Sequence, residues 1–128
     1  MKIPPSLYIV PTEDLDEGEK LDGLMTNGWE NPPYKGSKLL VVPEKDGQQL
    51  RKIRWIYTVK SVAETGRRDW KWELDVSPKA VATPRRWYDI VDEVLRQGLV
   101  SIVGSHGEGD QITHEPTIRL ILEMLGEA

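Results

Sequence analysis

Residues 52–76 carry the clearest pattern of the chain, in which apolar and charged side chains alternate with a period of two. This period is typical of half-buried β-strands, because successive side chains of a strand point to opposite faces. Gly66 lies between the two arms and can supply the backbone freedom of a turn. We therefore predict an antiparallel hairpin with a charged outer face and an inner face formed by Ile53, Trp55, Tyr57, Val59, Trp70, Trp72, Leu74 and Val76.

Three shorter apolar runs predict further strands, at 7–10, 38–42 and 99–103. Pro11 and Pro43 follow the first two runs, and proline lacks the N–H that a central strand needs, so each is expected to end its strand. The third run is apolar throughout, as in a strand buried on both faces. With the hairpin, the predicted strands lie near residues 7–10, 38–43, 50–61, 69–76 and 99–103.

Two segments have the apolar spacing of helices. Over 84–97 the apolar residues recur from Trp87 at helical intervals, with Thr83 as N-cap, Pro84 at the first helical position and Gly98 just past the end. The second helix is predicted at 113–125. Its apolar surface is wide, so we expect it to be covered inside the fold or by another chain, through Ile118, Leu120, Ile121, Leu122, Met124 and Leu125.

Residues 12–37 form an acidic stretch rich in glycine, proline and asparagine, which predicts an irregular excursion. Leu21, Leu24 and Met25 have helical spacing, but glycine costs about 1 kcal/mol relative to alanine in a helix, so only a short, weak helix is expected there. The tetrapeptide at 31–34, Asn-Pro-Pro-Tyr, resembles the signature of adenine-N6 methyltransferases. That match covers four residues and the glycine-rich cofactor loop is missing, so we interpret the tetrapeptide as an extended spacer.

These elements predict one α+β domain over residues 1–128, with a mainly antiparallel five-stranded sheet and two helices on one face. The second choice is a small β-barrel closed by the meander, with the helices appended. The chain contains no cysteine, which excludes a disulfide scaffold. It also has no apolar run long enough for a membrane helix and no apolar N-terminal core of a signal peptide, so we expect a cytoplasmic, intracellular protein with no membrane partner.

Charge is distributed unevenly along the chain. Residues 1–34 carry a net charge of −5, residues 35–86 carry +7 and residues 87–128 carry −6, which together give the overall −4. Such blocks can neutralise one another on folding, pair with a second copy of the chain, or offer a basic face to a polyanion. The charge pattern therefore leaves three classes of partner open: the chain itself, another protein, or nucleic acid.

The basic hairpin is a candidate nucleic-acid site, because a two-stranded ribbon with arginines on its outer face can follow a phosphate backbone. Acidic residues on the same face argue against it, since they can pair with the cations across the strands. The tryptophans share a face with aliphatic residues, which favours core packing over base stacking. The candidate contacts are Arg51, Arg54, Lys60, Arg67, Arg68 and Lys71.

A second candidate site is a divalent metal centre near the two histidines of the chain. Imidazole and carboxylate groups are suitable ligands for such ions, and four of them occur within nine residues. A hydrolytic zinc site needs three convergent protein ligands and an open position, which spacing alone does not establish. The candidate ligands are His106, Glu108, Asp110 and His114.

For function we predict a non-catalytic assembly or interaction module that self-associates through its last helix and its opposed charge blocks, without a cofactor. The chain lacks a cysteine nucleophile and a Gly-x-Ser-x-Gly motif, which argues against an enzyme that works by nucleophilic catalysis. The alternatives are a nucleic-acid-binding accessory protein that uses the basic hairpin and a small metal-dependent enzyme centred on the histidines.

Overall fold

The computed structural model describes residues 3–13, 19–21, 23–26, 32–44, 51–68, 71–99 and 110–127. Within these ranges the chain forms one open sheet of six strands in the order β2-β5-β4-β3-β1-β6, with two helices. Strands β1 and β3 are parallel, and the other neighbouring strands are antiparallel. The elements are β1 (Leu7–Glu13), β2 (Gly23–Thr26), β3 (Lys38–Glu44), β4 (Lys52–Glu64), β5 (Trp72–Arg86), α1 (Trp87–Arg96), β6 (Asp110–Ile112) and α2 (Glu115–Met124).

This architecture confirms the α+β class and the mainly antiparallel sheet, and its open strand order excludes the alternative of a closed barrel. Both helices pack on one face of the sheet, in a core that contains apolar residues of β1, β3, β4, β5, β6, α1 and α2. The predicted meander is present as β3-β4-β5, and α2 lies inside the predicted range 113–125. No helix in the described ranges is long and apolar enough to cross a membrane.

Two proline positions differ from the sequence prediction. Pro11 and Pro43 do not end their strands, since β1 continues to Glu13 and β3 continues to Glu44, paired in parallel register. Pairing of β1 with β6 stops at Ile9, and pairing of β3 with β4 stops at Leu40. Among the described residues, each proline therefore lies where its strand is paired on one side only, so a missing N–H on the unpaired side interrupts no ladder.

The start of the first helix also differs from the prediction. Residues 77–83 are part of β5, which was predicted to end near residue 76, and α1 begins at Trp87, three residues after the predicted position. The cause is pairing with β4, which places Lys52 opposite Arg86. Long-range pairing thus overrides the Thr83–Pro84 capping signal.

Two short edge strands were not predicted. Strand β2 forms where the spacing of residues 21–25 indicated a weak helix, and it is held by antiparallel pairing with residues 72–75 of β5. Strand β6 pairs with the first three residues of β1. Of the predicted strand at 99–103, Leu99 lies outside any strand and the remaining residues lie outside the described ranges.

The sheet is buried on both faces, whereas the alternation predicted a charged outer face for the hairpin. We call the two clusters the helix-side core and the opposite core. Leu40 and Ile56 belong to the helix-side core, while their neighbours Leu39 and Tyr57 belong to the opposite core. Register irregularities between Ile53 and Trp55 and between Val59 and Ser61 interrupt the alternation, so a strict two-residue period does not hold along β4.

The acidic excursion helps to cover the opposite core. The chain must pass from β1 to β2 at the far edge of the sheet and return to β3. On this path Leu21 packs against the opposite core, and its N–H donates a hydrogen bond of 3.1 Å to the hydroxyl of Tyr57. Burial raises the pKa of this tyrosine above its ordinary value, as expected for a hydroxyl kept away from water.

Candidate interaction surfaces

The far half of the β4–β5 hairpin extends beyond β3, and we call residues 60–64 with residues 72–76 the arm. Among the described residues, β3 pairs with β4 through Leu40, Leu39 and Lys38, and main-chain hydrogen bonds of Gly36 and Ser37 with Val59 follow on that side. In the described ranges, residues 60–64 therefore pair with β5 alone. All of them are exposed except the half-buried Val62.

The structure divides the predicted nucleic-acid residues between two places. Lys60 is exposed on the arm, and Arg67, Arg68 and Lys71 are exposed in or beside the connection between its strands. Arg51 and Arg54 lie at the other end of β4, which is 13 residues long, equivalent to roughly 40 Å of extended chain. The six residues thus do not form one surface.

The arm carries acidic as well as basic side chains. Glu64, Glu73 and Asp75 are exposed there, and Asp75 accepts a hydrogen bond of 2.9 Å from the hydroxyl of Ser61. Trp72 is half-buried, with the Lys71 ammonium 5.2 Å from its ring centroid, so this ring face is occupied by a cation. Trp55 is half-buried under Lys20 at 5.1 Å in the same manner, while Trp70 lies outside the described ranges. Mixed charge and covered rings weaken the nucleic-acid hypothesis, which stays a prediction.

Binding of nucleic acid by the arm and the connection between its strands has a measurable signature. Contacts of Lys60, Arg67, Arg68 and Lys71 to four phosphates would make the affinity for DNA or RNA fall about a hundredfold between 50 and 200 mM salt. Replacing Arg67 and Arg68 together by alanine should roughly halve the salt dependence, because two phosphate contacts are lost. Arg119→Ala, at an exposed position of α2, is the matched control. Absence of gel retardation, or retardation that the double variant leaves unchanged, would reject this function.

Only the C-terminal part of the predicted metal site lies within the described ranges. His106 and Glu108 lie outside the described ranges, as does the side chain of Asp110 at the start of β6. His114 is the N-cap residue of α2, and its Nδ1 lies 2.7 Å from the hydroxyl of Thr117. No group of three potential metal ligands occurs among the described residues. The metal hypothesis therefore also stays a prediction.

Helix α1 has an apolar arc that is wider than its buried side. Trp87, Ile90 and Val94 are buried, whereas Tyr88 is 67% exposed and Leu95 is 55% exposed. Half-buried Val91 lies between the buried and the exposed residues on the helical wheel. At 100° per residue, Tyr88, Val91 and Leu95 fall within a sector of about 60° next to the buried one. We call these three residues the α1 outer face.

Helix α2, by contrast, has its apolar face covered within the chain. Ile118, Ile121, Leu122 and Leu125 are each at most 2% exposed in the helix-side core, and Leu120 and Met124 are half-buried. A groove of about 270 Å³ separates the end of α1 from α2 and is lined by Gln97, Leu99, Glu115, Pro116, Arg119, Leu120 and Glu123. Sequence periodicity identified the wide apolar surface of α2 but could not indicate that the same chain covers it.

Part of the basic block is neutralised inside the molecule. The Lys79 ammonium lies 3.1 Å from the Glu127 carboxylate, and the Arg85 Nε donates to the Met124 carbonyl at 2.7 Å. Arg86 binds Asp89 through two nitrogens, and these hydrogen bonds hold the pKa of Asp89 below its ordinary value. These contacts join the end of β5 to both helices, so this part of the positive charge has an internal role.

Comparison with known protein families and with curated proteins found no match for this chain.

Proposed function

We propose that the protein is a non-catalytic assembly module that self-associates, with the α1 outer face as its contact surface. The observation that supports this proposal most directly is the exposure of Tyr88 and Leu95 beside half-buried Val91 on one helix. Large apolar side chains exposed as a group favour contact with another protein, whereas isolated ones are ordinary. Tyrosine also suits interfaces, because its ring buries apolar area while its hydroxyl remains solvated or hydrogen-bonded.

The outer face of α1 is a better contact surface than α2, where the sequence suggested self-association. Burial of Ile118, Ile121 and Leu122 within the chain removes the reason for placing the contact on α2. The α1 outer face has the geometry for self-contact, because an antiparallel pair of α1 helices places Tyr88 of each copy near Leu95 of the other. Such a pair buries both exposed side chains at once, and each contributes roughly 1.5–3 kcal/mol when fully buried.

The expected result for the wild-type chain in multi-angle light scattering is a mass above 14.6 kDa that rises with concentration. Leu95→Glu should lower this mass, because a carboxylate in an apolar contact loses its hydration. Gln111→Glu introduces the same charge at an exposed position of β6 and is the matched control. A wild-type chain that remains monomeric at high concentration, or association that survives Leu95→Glu unchanged, would contradict the proposal.

A further inference from the structure

Among the described residues, the strand edges without a neighbour differ in their protection against further pairing. β1 and β5 each continue past the end of an outer neighbour and carry proline there, at Pro11 and, in β5, at Pro78 and Pro84, and β3 carries Pro43 where its pairing with β4 has stopped. A proline on an open edge removes a backbone donor and so discourages the addition of another strand. In residues 60–64 of the arm, β4 also continues past its neighbour β3, and this stretch contains no proline.

The sequence of this open edge is complementary to itself. Residues 60–64 read Lys-Ser-Val-Ala-Glu, so an antiparallel copy centred on Val62 places each lysine opposite a glutamate. The same register places Ser61 opposite Ala63, and these small side chains leave room for close approach. Opposite charges facing each other across antiparallel strands stabilise the pair, and like charges destabilise it.

We propose that residues 60–64 of β4 pair in antiparallel register with the same residues of a second copy of this chain, with Val62 on the twofold axis. The pairing would join the two arms into one continuous sheet through main-chain hydrogen bonds, as in strand addition to a sheet edge. Lys60 of each copy would lie opposite Glu64 of the other, which gives two ion pairs per dimer. A contact of this kind is isologous and closes after two copies.

Specificity for a second copy follows from the same residues. A lysine and a bulge on an edge strand are features that discourage pairing with unrelated strands, and Lys60 lies at the irregularity between Val59 and Ser61. An unrelated strand leaves this lysine without a counter-charge, whereas the self-paired register supplies one. Neither Tyr88 nor Leu95 takes part, so this contact and the α1 contact are independent.

Cysteine cross-linking tests the register directly, because the chain contains no cysteine of its own. Directly opposite residues of antiparallel strands have Cα atoms about 4.5–5.5 Å apart, within the range that a disulfide spans. Oxidation of Val62→Cys should give a covalent dimer of twice 14.6 kDa on a non-reducing gel. Glu64→Cys alone should not, because its own counterpart lies roughly 13 Å away along the strands. An equal mixture of Lys60→Cys and Glu64→Cys should cross-link between the two variants.

Charge reversal tests the predicted ion pairs. Lys60→Glu or Glu64→Lys should weaken dimerisation roughly 2- to 30-fold, since two exposed pairs are lost, and the double variant should restore it. Val62→Cys combined with Leu95→Glu should still cross-link, which separates this contact from the one on α1. The proposal is overturned if neither Val62→Cys nor the mixture cross-links, if Glu64→Cys alone cross-links as fast as Val62→Cys, or if the double reversal fails to restore dimerisation.

Discussion

Replacing Gly126 by alanine is expected to lower the free energy of unfolding by roughly 2–5 kcal/mol, because two costs add. Gly126 has a φ of 78°, in the left-handed region that residues with a Cβ adopt only at a cost. A Cβ at this position would also lie 2.7 Å from the Cβ of Ala82 and 3.0 Å from the hydroxyl of Thr83. The close approach exists because the Thr83 N–H donates to the Leu125 carbonyl at 2.9 Å, which joins β5 to the end of α2.

Gly98 provides the matched control for this substitution. It ends α1 as Gly126 ends α2, with a φ of 69° and the same pair of closing hydrogen bonds, here from Gly98 to Leu95 and from Leu99 to Val94. No atom of the residues that the structure describes lies within 4 Å of a Cβ built on Gly98, so Gly98→Ala should cost only about 1–2 kcal/mol. Denaturant titration of both variants measures the difference. Equal costs would show that α2 does not press against β5 at this point.

Leu39→Ala and Leu40→Ala should each lower the free energy of unfolding by about 2–5 kcal/mol. These neighbours in β3 point to opposite faces of the sheet, and both are 0% exposed. The expected effect is large because each deletion leaves a cavity in a packed core in addition to losing apolar burial. The pair therefore compares the helix-side core with the opposite core within one strand.

Chemical denaturation of the two leucine variants decides whether the opposite core is a true interior. A cost of less than about 1 kcal/mol for Leu39→Ala, beside the full cost for Leu40→Ala, would mean that the opposite face of β3 is solvated. The sheet would then be of the half-buried type that the alternation in residues 52–76 predicted. Leu21 and the acidic excursion would in that case contribute little cover.

The sequence alone predicted those elements whose formation depends on their own residues or on residues adjacent in the chain. The spacing of Ile118, Ile121, Leu122 and Leu125 predicted α2 closely, because a helix forms its hydrogen bonds within one segment and needs only an apolar stripe to dock. Alternation and the turn at Gly66 likewise predicted the β4–β5 hairpin, whose strands are adjacent in the chain. The candidate surfaces could also be predicted in part, since the charge blocks and the wide apolar surface of the helices are visible in the sequence.

Features that depend on distant partners were decided only by tertiary structure. Strand β2 forms because Gly23–Thr26 lies beside β5. Residues 77–86 belong to a strand because much of this stretch pairs with β4, which delays the start of the helix. Periodicity within one segment cannot predict these pairings, since it contains no information about which segment becomes a neighbour. The same reason applies to the candidate contacts. The sequence alone established that α1 has a wide apolar arc and that residues 60–64 of β4 have self-complementary charges. Only the packing of β3, α2 and the excursion decided which of those residues remain exposed.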